Sequence, residues 1–414
     1  MTSTKIIVIG AGAAGMLCAG HCSMYGADVT IIEKNQRVGR KIMITGKGRC
    51  NVTNNCDTNT FIANVPTNGK FLYSAINSFG TDDVISFFEG RGLPLKTERG
   101  NRVFPTSDKA VDVVDSLYNF VKEYNCKIVN ADVKSLIIEN NKVKGVRTTD
   151  DKEYYCDKVI VATGGKSYPL TGSTGAGYIF ARQAGHTIVP PKPSLVPVVS
   201  PDSLCKKLQG LALKNISIKV ISKNDKAVLY SDFGEMLFTH FGLSGPVVLS
   251  SSAHLTNKRL EDYYISIDLK PALTEKQLDS RVLRDFEMFI NKDIQNSLNK
   301  LLPAKIIPVV IEKAGIPFET KCNSITKEQR HKLVEVIKSF TVNINSFRPI
   351  EEAIITSGGV STKEINPKTM ESKLCKDLYF AGEVIDVDAY TGGFNLQIAF
   401  STGYLAGISS ACDY

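Results

Sequence analysis

Residues 5–34 constrain the fold of this chain more than any other segment. The apolar run 6–9 is typical of a buried parallel strand, and the residues after it carry the spacing GxGxxG, at Gly10, Gly12 and Gly15. In this pattern the glycines allow a sharp turn, a close approach of the backbone to a pyrophosphate, and tight packing of the next helix. With a second apolar run at 29–32, the segment predicts the start of a doubly wound α/β domain.

An acid at the end of the second predicted strand indicates how a dinucleotide would lie. Glu33 follows the run 29–32 directly, where a carboxylate accepts hydrogen bonds from both hydroxyls of a ribose that carries no phosphate. The negative phosphates would lie against the free amides at the start of the first helix, at Ala13 and Ala14. The alternative is a doubly wound domain without a nucleotide, and this segment alone leaves open which dinucleotide binds.

A glycine-rich, cationic segment follows Glu33 and is the most distinctive part of the chain. Cations and exposed amides converge on it, which suits an anion or the electron-rich edge of a ring. The alternative is a polar surface loop. The residues predicted to contact a cofactor here are Lys34, Arg40, Lys41, Thr45, Gly46, Gly48, Arg49, Cys50 and Asn51.

Charge and cysteine usage exclude several classes of function. The net charge of +8 comes from scattered lysines without a basic block, so no nucleic-acid partner is expected. The ten cysteines form no CxxC pair and no His/Cys cluster, so we expect no metal site and reduced thiols. Because there is no signal-like N-terminus and no apolar run of about twenty residues, we expect a cytoplasmic protein without a membrane partner.

Several segments together resemble one family of flavoproteins. They are TGKGRCNVTN (45–54), GNRVFPTSDKA (100–110), VIVATGGKSYPLTGSTGAGY (159–178), PSLVPV (193–198), FTHFGLSGPVVLS (238–250), EEAIITSGGVS (351–361) and LYFAGEVIDVDAYTGGFNLQIAFSTG (378–403). Over essentially its whole length the chain is similar to the BaiN-like NAD(P)/FAD-dependent oxidoreductases, also called aminoacetone-oxidase-like FAD-binding flavoproteins. The resemblance implies bound FAD, a two-part FAD-binding domain, an inserted β-barrel-like domain and a small helical domain.

The length and the change of pattern along the chain predict where these domains lie. At 414 residues the chain is longer than one typical domain. Four prolines between 190 and 197 punctuate it, β-type alternation follows to 269, and helical periodicity then continues to about 340. We expect a Rossmann-like FAD-binding domain from 1–192 and 345–414, an inserted β-rich domain at 193–271, and a helical subdomain at 272–344.

Further predicted cofactor contacts come from three distant segments. An apolar strand ends at Thr163, Gly164 and Gly165, and ligands gather at such strand ends in a doubly wound sheet. By the resemblance, the backbone near Val133 would border the adenine, and Glu383, after Gly382, would hold the ribitol hydroxyls. The last predicted helix would point its positive end at the N1 and O2 edge of the flavin; it opens at Gly392, Gly393, Phe394 and Asn395.

The resemblance also suggests the reaction. FAD would transfer a hydride from N5 to a carbon–carbon double bond conjugated to a carbonyl, in a small molecule such as a cyclic enone. NAD(P)H would visit the flavin transiently, because the chain has only one fingerprint with full strand–helix–strand context. Candidate proton donors are Tyr168, His240 and Tyr390. The alternatives are a flavin-dependent amine or aminoketone oxidase and an FAD-bearing RNA-binding or RNA-modifying protein, and the oligomeric state stays open.

Overall fold

The computed structural model describes residues 3–412, which divide into two compact units. The first unit comprises the chain up to Ser194 and again from Ile350, and the second comprises Leu195–Pro349. The predicted domain borders at 192/193, 271/272 and 344/345 stay predictions.

The first unit begins with alternating strands and helices. In chain order its elements up to the second unit are β1 (Lys5–Ile9), α1 (Ala13–Met24), β2 (Asp28–Glu33), α2 (Arg40–Ile44), β3 (Thr53–Asn54), α3 (Thr58–Ala63), α4 (Tyr73–Ser78), α5 (Thr81–Gly90), β4 (Leu95–Glu98), β5 (Arg102–Pro105), α6 (Ala110–Glu123), β6 (Lys127–Asn130), β7 (Val133–Glu139), β8 (Lys142–Thr148), β9 (Glu153–Tyr155), β10 (Lys158–Val161), α7 (Ala176–Gln183) and β11 (Ile188–Ser194).

The second unit combines an antiparallel sheet with helices. Its elements are β12 (Val198–Val199), α8 (Leu204–Lys207), β13 (Ala212–Ser222), β14 (Val228–Phe238), β15 (Gly242–Ser244), α9 (Pro246–Leu255), β16 (Tyr263–Asp268), α10 (Glu275–Met288), α11 (Ile307–Lys313), α12 (Lys327–Lys338), β17 (Phe340–Asn343) and β18 (Ser346–Phe347). The seven strands pair in the order β17-β16-β13-β14-β15-β12-β18. Residues of this sheet and of α10 to α12 share one hydrophobic core.

The chain then returns to the first unit with β19 (Ile355–Val360), β20 (Leu378–Phe380) and α13 (Phe394–Ala411). A parallel sheet in the order β20-β10-β1-β2-β6 is the centre of this unit. Within it, Ile7 is paired with Val159 on one side and with Thr30 on the other. Because strands from both ends of the chain lie in one parallel sheet, the predicted Rossmann-like domain is confirmed.

Glycines let the last helix pack closely against the first. A Cβ atom added to Gly403 would lie 2.5 Å from the carbonyl oxygen of Ala14, and one added to Gly407 would lie 2.8 Å from that of Cys18. Real Cβ atoms essentially never approach so closely, so α13 and α1 are in contact through their backbones. This contact holds the C-terminal segment beside the glycine turn after β1.

Candidate functional site

A deep cleft opens in the first unit at the carboxyl ends of the parallel strands. The turns that follow β1, β2, β10 and β20 line it, and its empty space, including the open mouth, is about 1210 Å³. Doubly wound domains bind ligands at this edge of the sheet, so the cleft is the candidate cofactor site. The predicted contacts that line it are Gly10, Gly12, Ala13, Ala14, Glu33, Lys34, Arg40, Lys41, Thr45, Val133, Thr163, Gly164, Gly382, Glu383 and Asn395.

The three glycines after β1 have different roles. Gly10 has a φ of +102°, which favours glycine, and Gly15 lies so close to the turn that an added Cβ would be 1.9 Å from the carbonyl oxygen of Gly10. Gly12 is different, because an added Cβ there has no neighbour within 4 Å. Gly12 therefore faces open space at the start of α1, where a pyrophosphate could approach the backbone.

Glu33 is buried at the end of β2 and orders the turns on either side of it. One carboxylate oxygen, Oε2, accepts the backbone N–H of Ala11 at 2.7 Å. The other, Oε1, accepts the backbone and side-chain N–H groups of Asn35 at 2.8 and 2.7 Å. A carboxylate offers about four acceptor positions, so Glu33 retains capacity for a further donor such as a ribose hydroxyl.

Lys41 and Glu383 meet across the cleft although 342 residues separate them. The Nζ atom of Lys41 lies 2.5 Å from Oε2 of Glu383 and 2.6 Å from the Oγ atom of Ser167. Glu383 also accepts the hydroxyl of Ser167 at 3.0 Å and the backbone N–H of Thr356 at 2.9 Å. These bonds fix the carboxylate after Gly382 in one orientation.

Arg49 does not line the cleft, although we predicted it as a cofactor contact. Its guanidinium donates to the carboxylates of Glu98 and Asp108 at 2.5 Å each and lies 4.2 Å from the ring centre of Phe104. These two acids, which sequence reasoning had not paired with it, hold the guanidinium in salt bridges outside the residues that line the cleft. The guanidinium thus anchors the 45–51 loop to the sheet of β3, β5 and β4.

Replacing Arg49 with methionine is therefore expected to lower the Tm without a large change in FAD affinity. Hydrogen bonds from Arg49 lower the pKa of Glu98, and those from Lys96 and Arg49 lower the pKa of Asp108. A carboxylate whose pKa is lower in the folded state stabilises the fold at pH values above its ordinary pKa. This stabilisation is lost as the pH falls through the folded-state pKa. The Tm difference should thus be present at neutral pH and vanish in acid. A loss of FAD affinity above about tenfold would contradict this assignment.

The other predicted contacts that do not line the cleft are Gly15, Gly46, Gly48, Cys50, Asn51, Gly165, Gly392, Gly393 and Phe394. Several of them serve close packing instead. A Cβ added to Gly393 would lie 2.3 Å from the carbonyl oxygen of Thr53, and one added to Gly165 would lie 2.5 Å from Oγ1 of Thr356. Burial raises the pKa of the Cys50 thiol to about 12, so this cysteine stays protonated. Their contact with a cofactor stays a prediction.

The three candidate proton donors lie outside the residues that line the cleft. Tyr168 is half-buried with a φ of +51°, which is rare for a tyrosine, and burial raises its pKa, with Glu352 adding to the effect. The backbone N–H of Tyr390 donates to the carbonyl of Asn64 at 3.0 Å. His240 is an exposed residue of the second unit, with its ring 5.0 Å from that of Phe241. Their catalytic roles stay predictions.

Sequence reasoning missed several residues that shape the site. Asn35 holds Glu33, and Ser167 and Thr356 hold Glu383. Ser167 and Thr356 lie in segments that carry the family resemblance, but their partnership with Glu383, which is 216 positions from Ser167, depends on the fold. The loop 171–173 and the residues 354–355 also line the cleft.

The residues present fit an FAD molecule. The cleft offers Glu33 for ribose hydroxyls and the open turn at Gly12 for a pyrophosphate. Lys41 and a second acid, Glu383, lie beyond this turn. Within residues 3–412, the buried Oγ1 atom of Thr163, which lines the cleft, has no hydrogen-bond partner. A buried hydroxyl without a partner costs free energy, which suits a bound polar group at this strand end.

Two other kinds of site are missing from the described part of the chain. Residues 3–412 contain no group of three or more His, Cys, Asp or Glu residues that could hold a metal ion. None of the described helices is long and apolar enough to cross a membrane. All ten cysteines are free thiols.

Comparison with known proteins identifies the family. Residues 4–409 match the HI0933-like protein Rossmann domain. The 3-dehydro-bile acid delta(4,6)-reductase of Clostridium scindens is 32% identical over 98% of this chain and 99% of the reductase. The ribosomal RNA dihydrouridine synthase of Haemophilus influenzae is 32% identical over 97% of this chain and 97% of that enzyme.

A solved structure shows the same fold at low identity. The 3-ketosteroid delta1-dehydrogenase of Sterolibacterium denitrificans is 12% identical in sequence. The match covers 99% of this chain and 100% of the dehydrogenase chain, with a TM-score of 0.54. The family match spans nearly the whole chain, and the predicted BaiN-like resemblance is confirmed. The chain belongs to the HI0933-like Rossmann family and is an FAD-dependent oxidoreductase.

Proposed function

We propose that this chain reduces a carbon–carbon double bond conjugated to a carbonyl, with FAD in the cleft and NAD(P)H as the electron donor. The observation that carries the proposal is the bond type shared by two full-length relatives. A delta(4,6)-reductase of 3-dehydro bile acids acts on double bonds in conjugation with a ketone. A dihydrouridine synthase saturates a uracil bond that is conjugated to a ring carbonyl.

The cleft residues have distinct proposed roles toward FAD. Glu33 would hold the adenosine ribose, the amides near Gly12 would hold the pyrophosphate, and Glu383 with Lys41 would hold the ribitol. When bound, FAD supplies hydride transfer at N5. The chain itself orients the cofactor, excludes water and supplies a proton to the substrate.

The electron donor would bind only transiently. The chain has one dinucleotide fingerprint, and its turn leads into the cleft proposed for FAD. NADH or NADPH would therefore reduce the flavin and leave before the second substrate binds. Glu33 bears on the ribose of FAD and does not discriminate between the two nicotinamide donors.

The first candidate substrate is a small cyclic enone, as the name of the bile acid reductase supports. The second is a uracil ring in RNA, and the specific observation that favours it is the equally similar dihydrouridine synthase. The same hydride chemistry serves both substrates, so the proposed reaction does not depend on the choice.

Anaerobic half-reactions test the proposal. The holoenzyme is reduced with NADH or NADPH and mixed with a steroid-like enone, the saturated ketone of the same skeleton, or a uridine-containing RNA fragment. We expect the enone or the RNA, and not the saturated ketone, to reoxidise the flavin at least about 10²-fold faster than buffer. Bleaching of the oxidised enzyme by an amine, with no reoxidation by any conjugated acceptor, would favour an amine oxidase and refute the proposal.

A further inference from the structure

The loop between β10 and α7 forms part of the wall of the cleft. We call residues 168–175 of this loop the strap, and its middle part, 171–173, lines the cleft. Directly before the strap, two backbone N–H groups donate to the hydroxyl of Thr356 at 2.8 and 3.1 Å. Directly after it, α7 packs into the hydrophobic core of the first unit through Phe180. The strap is therefore a short segment between two fixed ends.

Two side chains from the turn after β2 hold the strap. The Nδ2 atom of Asn35 donates to the backbone carbonyl of Thr171 at 3.2 Å. The Nζ atom of Lys34 donates to the hydroxyl of Thr174 at 2.9 Å. We call these two hydrogen bonds the latch. Because Nδ2 of Asn35 also donates to Glu33 at 2.7 Å, one amide joins the strap to the acid proposed for the ribose.

The strap passes over the turn that follows β1. In the parallel sheet, β1 lies between β10 and β2. The strap begins after β10, lines the cleft and is bonded to the turn after β2. It therefore crosses the carboxyl end of β1, where the glycine turn at 10–12 lies. A dinucleotide bound against that turn would lie beneath the strap.

The strap is built to bend. It has a positive φ at Tyr168, Gly172 and Gly175, of +51°, +109° and +83°. The structure describes all of the strap, and none of these residues belongs to either hydrophobic core; Leu170 is 86% exposed. Segments with few buried apolar contacts open at a low cost in free energy. The strap can therefore open while the sheet beneath it stays folded.

We propose that the strap is a lid that must open for FAD to enter or leave the cleft, and that the latch determines how often it opens. This inference rests on the proposed placement of FAD. The same latch breaks when FAD enters and when it leaves, so the open fraction scales both rates. Weakening the latch should speed association and release by the same factor and leave the Kd nearly unchanged. Loss of a direct contact with FAD would instead speed release alone and raise the Kd.

Gly172→Ala weakens the latch from the side of the strap. The added Cβ would lie 2.5 Å from Nδ2 of Asn35, and the φ of +109° is unfavourable for alanine. We expect FAD association and FAD release, followed by flavin fluorescence in stopped flow, both to become about tenfold faster. The matched control is Gly185→Ala at the other end of α7, where φ is +85° and an added Cβ has no neighbour within 4 Å. It introduces similar backbone strain and should leave both rates unchanged.

Thr174→Val weakens the latch at a residue that does not line the cleft. It removes the acceptor for Lys34, whereas Thr174→Ser keeps it. Because this hydrogen bond is exposed to water, we expect both rates to rise only about two- to threefold in Thr174→Val. Thr174→Ser should have wild-type rates. Faster release with unchanged association in Gly172→Ala and Thr174→Val, or wild-type rates in both, would overturn the lid. A wild type that takes up no FAD would instead refute the proposed cofactor site.

Discussion

Replacing Gly12 with valine is expected to abolish FAD retention and leave the fold intact. The added side chain has open space in the protein, since no atom lies within 4 Å of its Cβ position, and the backbone φ of −86° accepts any residue. In the complex, however, the side chain would occupy the path by which the pyrophosphate approaches the turn. We expect FAD affinity to fall by at least about 10²-fold, or about 3 kcal/mol, as measured by fluorescence titration.

The matched variant is Gly15→Ala, three residues further along the chain and inside α1. Its added Cβ would lie 1.9 Å from the carbonyl oxygen of Gly10, so α1 must shift away from the turn. We expect a loss of about 3 kcal/mol in the free energy of unfolding, measured without cofactor. If Gly12→Val unfolds the protein as readily as Gly15→Ala does, then Gly12 serves packing and the proposed pyrophosphate position is wrong.

Removing Lys41 is expected to cost more than removing the whole Lys41–Glu383 pair. Lys41→Met leaves the carboxylate of Glu383, which is 12% exposed, without its cation. We expect a loss of about 2 kcal/mol in the free energy of unfolding, less than for a fully buried pair because water reaches part of the site. In the double variant Lys41→Met/Glu383→Gln no unpaired charge remains, so most of this loss should be recovered.

FAD affinity is the second quantity to measure on the wild type, the two single variants and the double variant. Both single variants and the double variant should bind FAD at least about tenfold more weakly, because the cleft loses a cation, a carboxylate or both. Denaturant unfolding and FAD titration on all four proteins check the two expectations. Additive losses of stability would show that the 2.5 Å contact between the side chains does not couple them.

The parts of the fold that depend on local sequence could be predicted well. Gly10, Gly12 and Glu33 lie within one strand–helix–strand unit, where a short motif determines both backbone geometry and chemistry. The return of the chain to the first domain could also be predicted, because the resembling segments lie at both ends. The sheet order, with β20 beside β10, agrees with that prediction.

Long-range partnerships could not be predicted from the same patterns. Arg49 looked available for a cofactor because Glu98 and Asp108, its partners, lie 49 and 59 residues away on other elements. Lys41 and Glu383 were both expected near FAD, but nothing local indicates that they pair.

Titration of the purified apoprotein with FAD tests the central claim most directly. We expect saturation at one FAD per chain, a flavin spectrum altered by binding, and a higher Tm in the complex. NADH or NADPH should then reduce the bound flavin under anaerobic conditions. Saturation should be lost in Gly12→Val and retained in Arg49→Met. A wild-type protein that shows no change in flavin absorption or Tm at saturating FAD would contradict the claim that this cleft is a flavin site.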